Sequence, residues 1–215
     1  MTDSNLASPV YTVIGLPPTR TIRVIWALEE LALPYTIEPA RPHANEVSAV
    51  NPSGKVPAML VQEPGHEPFE IIDSVAIVQY LADKHEGLTF PAGTRARALQ
   101  DSFTHFALDE LDGTLWQMAK HTFIWPEGMR HLEAIKPGST RDLDKAFDSL
   151  VTRLGDQEFV AGSQFTVPDI IITHCCGWAQ RSDYYIKHAR VNDYLTRCHA
   201  RAAYQRTMEV RSRYL

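Results

Sequence analysis

The chain has 215 residues, 44% of them hydrophobic and 22% charged, with a formal net charge of −5. That length accommodates one large domain or two small ones of ordinary globular composition. The acid excess without a basic stripe argues against nucleic acid as the main partner, no apolar run reaches membrane-spanning length, and Met1 to Ser8 is too polar for a signal peptide.

Tyr11 to Leu16 reads as a short buried strand, and Pro17-Pro18 breaks it. Thr19-Arg20-Thr21 then precedes a helical run. Ile22, Val24, Ile25, Trp26, Leu28 and Leu31 recur near a period of 3.6, with Arg23, Glu29 and Glu30 on the other side. Leu33-Pro34 ends that helix and Tyr35 to Glu38 forms a second strand, so the two strands are expected to pair in parallel through a right-handed crossover. A polar loop from Pro39 to Asn51 follows.

The stretch Asn51-Pro-Ser-Gly-Lys-Val-Pro-Ala58 is a turn that runs into the apolar strand Ala58 to Val61. Pro57 sits where the strand begins, although it has no N–H for a ladder bond. At an X-Pro bond the cis form costs only about 0.5–1 kcal/mol, against about 2.5–4 elsewhere, so a cis Val56-Pro57 bond is open here, although by itself the motif favours a trans proline ending a loop. Glu63-Pro64-Gly65 turns the chain into a hairpin partner, Pro68 to Ile72. A helix from Ser74 to about Lys84 follows. Asp73 and Ser74 stand at its start, where free N–H groups and the helix dipole favour an anion. The first domain spans residues 1–86.

Gly87 to Gly93 reads as a linker, and beyond it the pattern is helical only, over a second domain spanning residues 94–215. Leu99, Phe103, Phe106, Leu111, Leu115 and Met118 trace one apolar face from Thr94 to about Lys120, and Leu143, Phe147, Leu150, Val151 and Leu154 trace another. Thr166-Val-Pro-Asp169 has the form of a capping box with Pro168 in the first turn. Ile170 to Trp178 continues as a nearly all-apolar, central helix, and Val191, Tyr194, Leu195 and Cys198 mark a further amphipathic one. The three cysteines, Cys175, Cys176 and Cys198, form no disulfide framework; a reduced, cytoplasmic protein is expected, with the vicinal pair engaged in packing. Nine histidines include no H-E-x-x-H or Cys/His cluster, so no metal is expected.

Lys55-Val56-Pro57, a hairpin, Asp73-Ser74 opening a helix, and a helical second half with a capping box together resemble the cytosolic glutathione S-transferases, of bacterial or theta/phi-like type. The resemblance implies an α/β thioredoxin-like domain, ordered β-α-β then β-β-α, followed by an all-α helical bundle. It also implies a homodimer, with dimer contacts and a second-substrate pocket in the helical domain. The implied activity is conjugation of the glutathione thiolate to an electrophilic hydrophobic substrate. Residue by residue, Val56, held ahead of a cis Pro57, pairs its backbone with the cysteinyl moiety in strand fashion. Asp73 takes the γ-glutamyl ammonium and Ser74 the carboxylate, unless both serve as helix caps alone. Lys55 reaches a glutathione carboxylate or is a solvated loop lysine. His43 lies in the loop where some members hold the glycyl carboxylate.

The activating group departs from the common patterns. Gly15 stands where pi-like members end the first strand with a catalytic tyrosine, and Pro18 where theta- and phi-like members have a serine. Thr19-Arg20, with Arg23 and Trp26, matches best a third set with a Ser-Arg pair before the first helix, which makes Thr19 the candidate activator and Arg20 its electrostatic helper; helix capping by Thr19 or Thr21 is the competing role. Lowering a thiol pKa of about 8.5 by about two units takes roughly 2.7 kcal/mol, within the roughly 1.5–3 kcal/mol of one hydrogen bond to a charge. A glutathione-dependent peroxidase or reductase would usually carry a cysteine after the first strand, and none precedes residue 175. A non-catalytic interaction module with the same fold is the third reading. His105 and Asp109 form a helical i, i+4 surface pair, or else His105, Trp116 and His121 line the second-substrate pocket.

Overall fold

The computed structural model describes residues 8–215, so the polar stretch from Met1 to Ala7 lies outside the described residues. The described residues divide into two compact units, residues 8–87 with 201–215, and residues 88–200.

The first unit carries a four-stranded sheet in the order β2-β1-β3-β4, from β1 (Val10–Ile14), β2 (Tyr35–Glu38), β3 (Ala58–Gln62) and β4 (Phe69–Ile72). β1 pairs in parallel with β2 and antiparallel with β3, and β3 pairs antiparallel with β4. Tyr11, Val13, Met59 and Val61 are fully buried, an alternating set on one face that fixes the register. Between strands run α1 (Ile22–Glu30), α2 (Asn45–Val50) and, after β4, α3 (Ser74–Lys84). The order is thus β-α-β-α-β-β-α, thioredoxin-like. The expected loop from Pro39 to Asn51 contains α2, a helix too short for a periodic signal, with Val47 as its one buried residue.

Arg23 does not lie on a solvated face. It is 1% exposed because α1 is covered by α3 on one side and by α9 (Ala202–Ser212) on another. On the α9 side, Trp26 meets Tyr204 edge-on at 4.9 Å, Arg201 forks the Glu30 carboxylate at 2.6 and 2.7 Å, and Arg206 bonds Glu29 at 2.7 Å. These contacts explain why residues 201–215 join the first unit, whereas reading the sequence in order extends the helical domain to residue 215.

The second unit is helical, with only an isolated bridge, Phe159 to Gly162, among its described residues. Thr94 caps α4 (Arg95–Phe106), its hydroxyl accepting from Arg97 N–H at 3.2 Å. The helix runs on through wide turns at Ala107–Asp112 and Lys120–Ile124, which bracket α5 (Gly113–Ala119). Leu99 is 62% exposed and does not belong to the apolar face. Gln100 takes the inward position: its carboxamide accepts from Phe90 N–H and donates to Thr89 Oγ1, both at 3.0 Å. α6 (Leu132–Leu154), α7 (Val167–Arg181) and α8 (Ala189–His199) complete the unit.

The capping box at α7 forms as its sequence requires. Fully buried Asp169 accepts from Thr166 N–H at 2.8 Å and Thr166 Oγ1 at 3.1 Å. It also accepts from Val160 N–H and Tyr194 O–H, both at 3.0 Å. Burial nevertheless outweighs these four donors and pushes the Asp169 carboxyl up to about 6. Among the described residues no helix is long and apolar enough to cross a membrane.

Candidate functional site

Register gathers the candidate residues along one edge of the sheet. Ile14 pairs with Ala58, and Ala58 with Ile72, so these three residues form one row across β1, β3 and β4. Immediately outside that row stand Gly15-Leu16, Val56-Pro57 and Asp73-Ser74. Three segments distant in sequence thus end at one rim of the first unit.

Gly15 is the pivot. Its φ is +139°, and a Cβ there would lie 2.5 Å from Thr21 Oγ1 and 2.9 Å from Val56 Cβ. Only glycine fits, which accounts for the missing tyrosine. The turn from Pro17 to Thr21 stays irregular before α1, with Thr19 in an extended conformation at φ −121° and ψ −163°. Thr19 Oγ1 donates to the Leu16 carbonyl at 2.8 Å and accepts from Thr21 N–H at 3.2 Å. The two threonine hydroxyls lie 2.9 Å apart. Since the single Thr19 proton goes to Leu16, Thr21 is the donor between them. Thr19 and Arg20 are half-buried and Thr21 is buried.

Buried Asn51 shapes the loop before Val56. Its amide donates to the Lys55 carbonyl at 2.8 Å, and its Oδ1 accepts from Ser53 N–H at 3.1 Å and Ser53 Oγ at 2.9 Å. Lys55 is exposed. His43, also exposed, has φ +66°; its N–H donates to the Gly54 carbonyl at 2.7 Å and its ring lies against Gly54. The Val56-Pro57 bond is cis. The Val56 side chain packs with Ile14, Ala40, Val47 and Ala58, while among the described residues its N–H and C=O have no backbone partner.

At α3, Asp73 has φ +76°, a conformation that a non-glycine residue adopts at a cost of about 1–3 kcal/mol. Its Oδ1 accepts from Val75 N–H at 2.8 Å and Ala76 N–H at 3.1 Å, so it does cap the helix. Ser74 is 2% exposed, and Arg23 Nη1 donates to its Oγ at 3.2 Å. The sequence places Arg23 in one pattern with Thr19 and Arg20 and does not announce its contact with Ser74. The available signal was one charged residue inside Ile22-Arg-Val-Ile-Trp26, flanked by apolar neighbours on every side.

Elsewhere, His105 and Asp109 are exposed on the second unit. His121 is buried there; its Nδ1 accepts from His131 N–H at 3.1 Å and its ring meets Trp125 edge-on at 4.6 Å. All three cysteines are buried thiols outside any disulfide, and burial pushes the Cys198 thiol up to about 12. Among the described residues no group of three or more His, Cys, Asp or Glu side chains is placed to hold a metal ion.

Comparison with known proteins agrees with this architecture. Residues 20–89 match the family described as "Glutathione S-transferase, N-terminal domain", and residues 133–197 the one described as "Glutathione S-transferase, C-terminal domain". "Glutathione S-transferase D6" of Drosophila melanogaster is 29% identical over 144 residues, covering 64% of this chain and 60% of that protein. "Glutathione S-transferase D7" of the same organism is 34% identical over 135 residues, covering 59% of this chain and 53% of that protein. The chain therefore spans little more than half the length of these relatives. Among solved structures, a glutathione transferase from Methylococcus capsulatus superposes with a TM-score of 0.79 at 24% identity, over 94% of this chain and 98% of its own. A Pseudomonas fluorescens family member with two glutathione bound superposes with a TM-score of 0.76 at 22% identity, over 93% and 92%. These two likenesses concern the fold.

Proposed function

The chain belongs to the glutathione S-transferase family, and from that membership we propose that it binds glutathione at the rim of the first unit and transfers the thiolate to an electrophilic hydrophobic substrate. One observation carries the reading: Gly15, Val56-Pro57 and Asp73-Ser74 leave the sheet from a single row, at the same end. An extended tripeptide can then pair with the Val56 backbone while its γ-glutamyl end reaches Asp73 and Ser74. Asp73 keeps one carboxylate oxygen for the ammonium, because the helix cap uses Oδ1 alone. Lys55 and His43, exposed on the same loop pair, suit the glycyl carboxylate. Thr19, with Arg20 beside it, is the activating group nearest the end of β1.

A second reading is favoured by one specific contact. The Thr19 proton is already given to the Leu16 carbonyl, so activation requires that hydroxyl to turn toward sulfur. A protein that binds glutathione without lowering its thiol pKa fits the resting geometry as well. Titrating glutathione while following heat and thiolate absorbance separates the two. Binding with a thiolate signal at neutral pH supports the transferase; binding without one supports a non-catalytic module; no binding at millimolar glutathione overturns both. A cytoplasmic two-fold homodimer, the commonest closed assembly, is part of the same proposal.

A further inference from the structure

The polar pair beneath the α3 terminus has a role that the proposed binding mode leaves unassigned. Asp73 Oδ1 consumes the Val75 and Ala76 N–H groups, so these two donors are not offered to an incoming anion. Ser74 supplies the remaining first-turn donors, its own N–H and its hydroxyl. A hydroxyl has one proton and can accept as well as donate. Left alone, a serine at a helix start is free to spend that proton on a nearby backbone carbonyl. Here the other neighbour of Ser74 Oγ is a guanidinium, which has donors only.

We infer that Arg23 is a positioning residue for ligand recognition: by donating to Ser74 Oγ from beneath, it fixes that oxygen as an acceptor and leaves the serine proton to a carboxylate bound at the start of α3. The inference rests on glutathione binding at this rim. It is supported by burial, since Arg23 is 1% and Ser74 2% exposed, so water does not compete for the contact. It is also supported by origin. Arg23 comes from α1 and Ser74 from α3, 51 residues apart, so neither local helix capping nor the sequence neighbourhood explains the contact. The ligand feature recognised is the α-carboxylate of the γ-glutamyl group. The adjoining ammonium belongs to Asp73, and Arg23 does not act on it.

The test measures two ligands on the full chain: glutathione, and 4-aminobutyryl-cysteinylglycine, which keeps the ammonium and lacks that carboxylate. The parent is expected to prefer glutathione by about tenfold or more, the scale of one hydrogen bond to a charged group. Arg23→Met should bring glutathione down toward the analogue while the analogue itself changes less than about twofold, at 1.4 kcal/mol per decade. Arg23→Lys, which keeps a buried cation and loses the planar fork, should fall between the two. If the methionine variant fails to fold, the lysine variant carries the test alone. A preference unchanged from the parent, or an equal loss for both ligands, overturns the positioning role in whichever variant is folded. A parent that binds glutathione weakly or not at all overturns the proposed function itself, and that result is visible before any variant is made.

Discussion

A thiolate needs a donor that is not already spent, and Thr19 is spent in the resting protein. Its hydroxyl gives its proton to Leu16 and receives one from Thr21. Reorienting toward sulfur costs the Leu16 bond but keeps the Thr21 bond, which polarises Thr19 as a donor. Thr19→Val should therefore raise the pKa of the bound thiol by about one to two units, read by thiolate absorbance against pH. Thr21→Val should raise it by a smaller amount, because it removes the supporting donor and not the direct one. Equal shifts, or none in Thr19→Val, would assign activation to Arg20 and the backbone. At the other end of the ligand, Ser74→Ala should weaken glutathione by about tenfold or more, measured by calorimetry. Which of these residues the sequence reveals depends on the range of their contacts. The helix start at Asp73 and Ser74 is legible because it is a local signal. Arg23 is not, because its partner lies across the fold, and the exclusion of any side chain at Gly15 depends on Thr21 and Val56 arriving there together.

The capping box shows a local rule carrying a non-local load. Thr166 and Asp169 announce the start of α7, yet two of the four donors on the Asp169 carboxylate come from Val160 and Tyr194, outside the motif. Asp169→Ala leaves several buried donors without an acceptor at about 1–3 kcal/mol each, so unfolding by denaturant should show a loss of roughly 3 kcal/mol or more. The same carboxyl gives stability a pH dependence. Its folded value of about 6 lies above its ordinary 3.8, so the folded state holds the proton more tightly. That contribution is fully present below the ordinary value and is lost as pH rises through about 6. Between pH 4 and pH 7 the stability of the parent should fall relative to Asp169→Ala. A parallel pair of stability curves would show that the four donors keep the group ionised throughout. Periodicity served the longer elements well, and it failed where a polar residue took an inward position, as Gln100 does in place of Leu99, or where a helix was as short as α2.

At the scale of the molecule, the two-part architecture is legible because the alternation of strands and helices stops after the linker. The destination of the last helix is not: Arg201 meets Glu30 across 171 residues of sequence, and nothing in the order of elements announces that contact. Assembly follows from family membership as an expectation, and sedimentation at micromolar concentration should give about twice the chain mass of 24.2 kDa. A single species at the chain mass would remove the dimer.

The return of α9 onto α1 also sets a timetable. The strands and helices of the first unit leave the ribosome early, but Arg201, Tyr204 and Arg206, which cover Trp26, Glu29 and Glu30, are synthesised long after them. Until they emerge, α1 presents a bare flank and the rim it supports is unfinished. A nascent chain stalled at Ala200 should therefore be cut by protease within the first unit, while extension through residues 201–215 should close it. The proposed glutathione site would then mature only once α9 is made, and a chain cut before α9 should lose a site whose residues it carries.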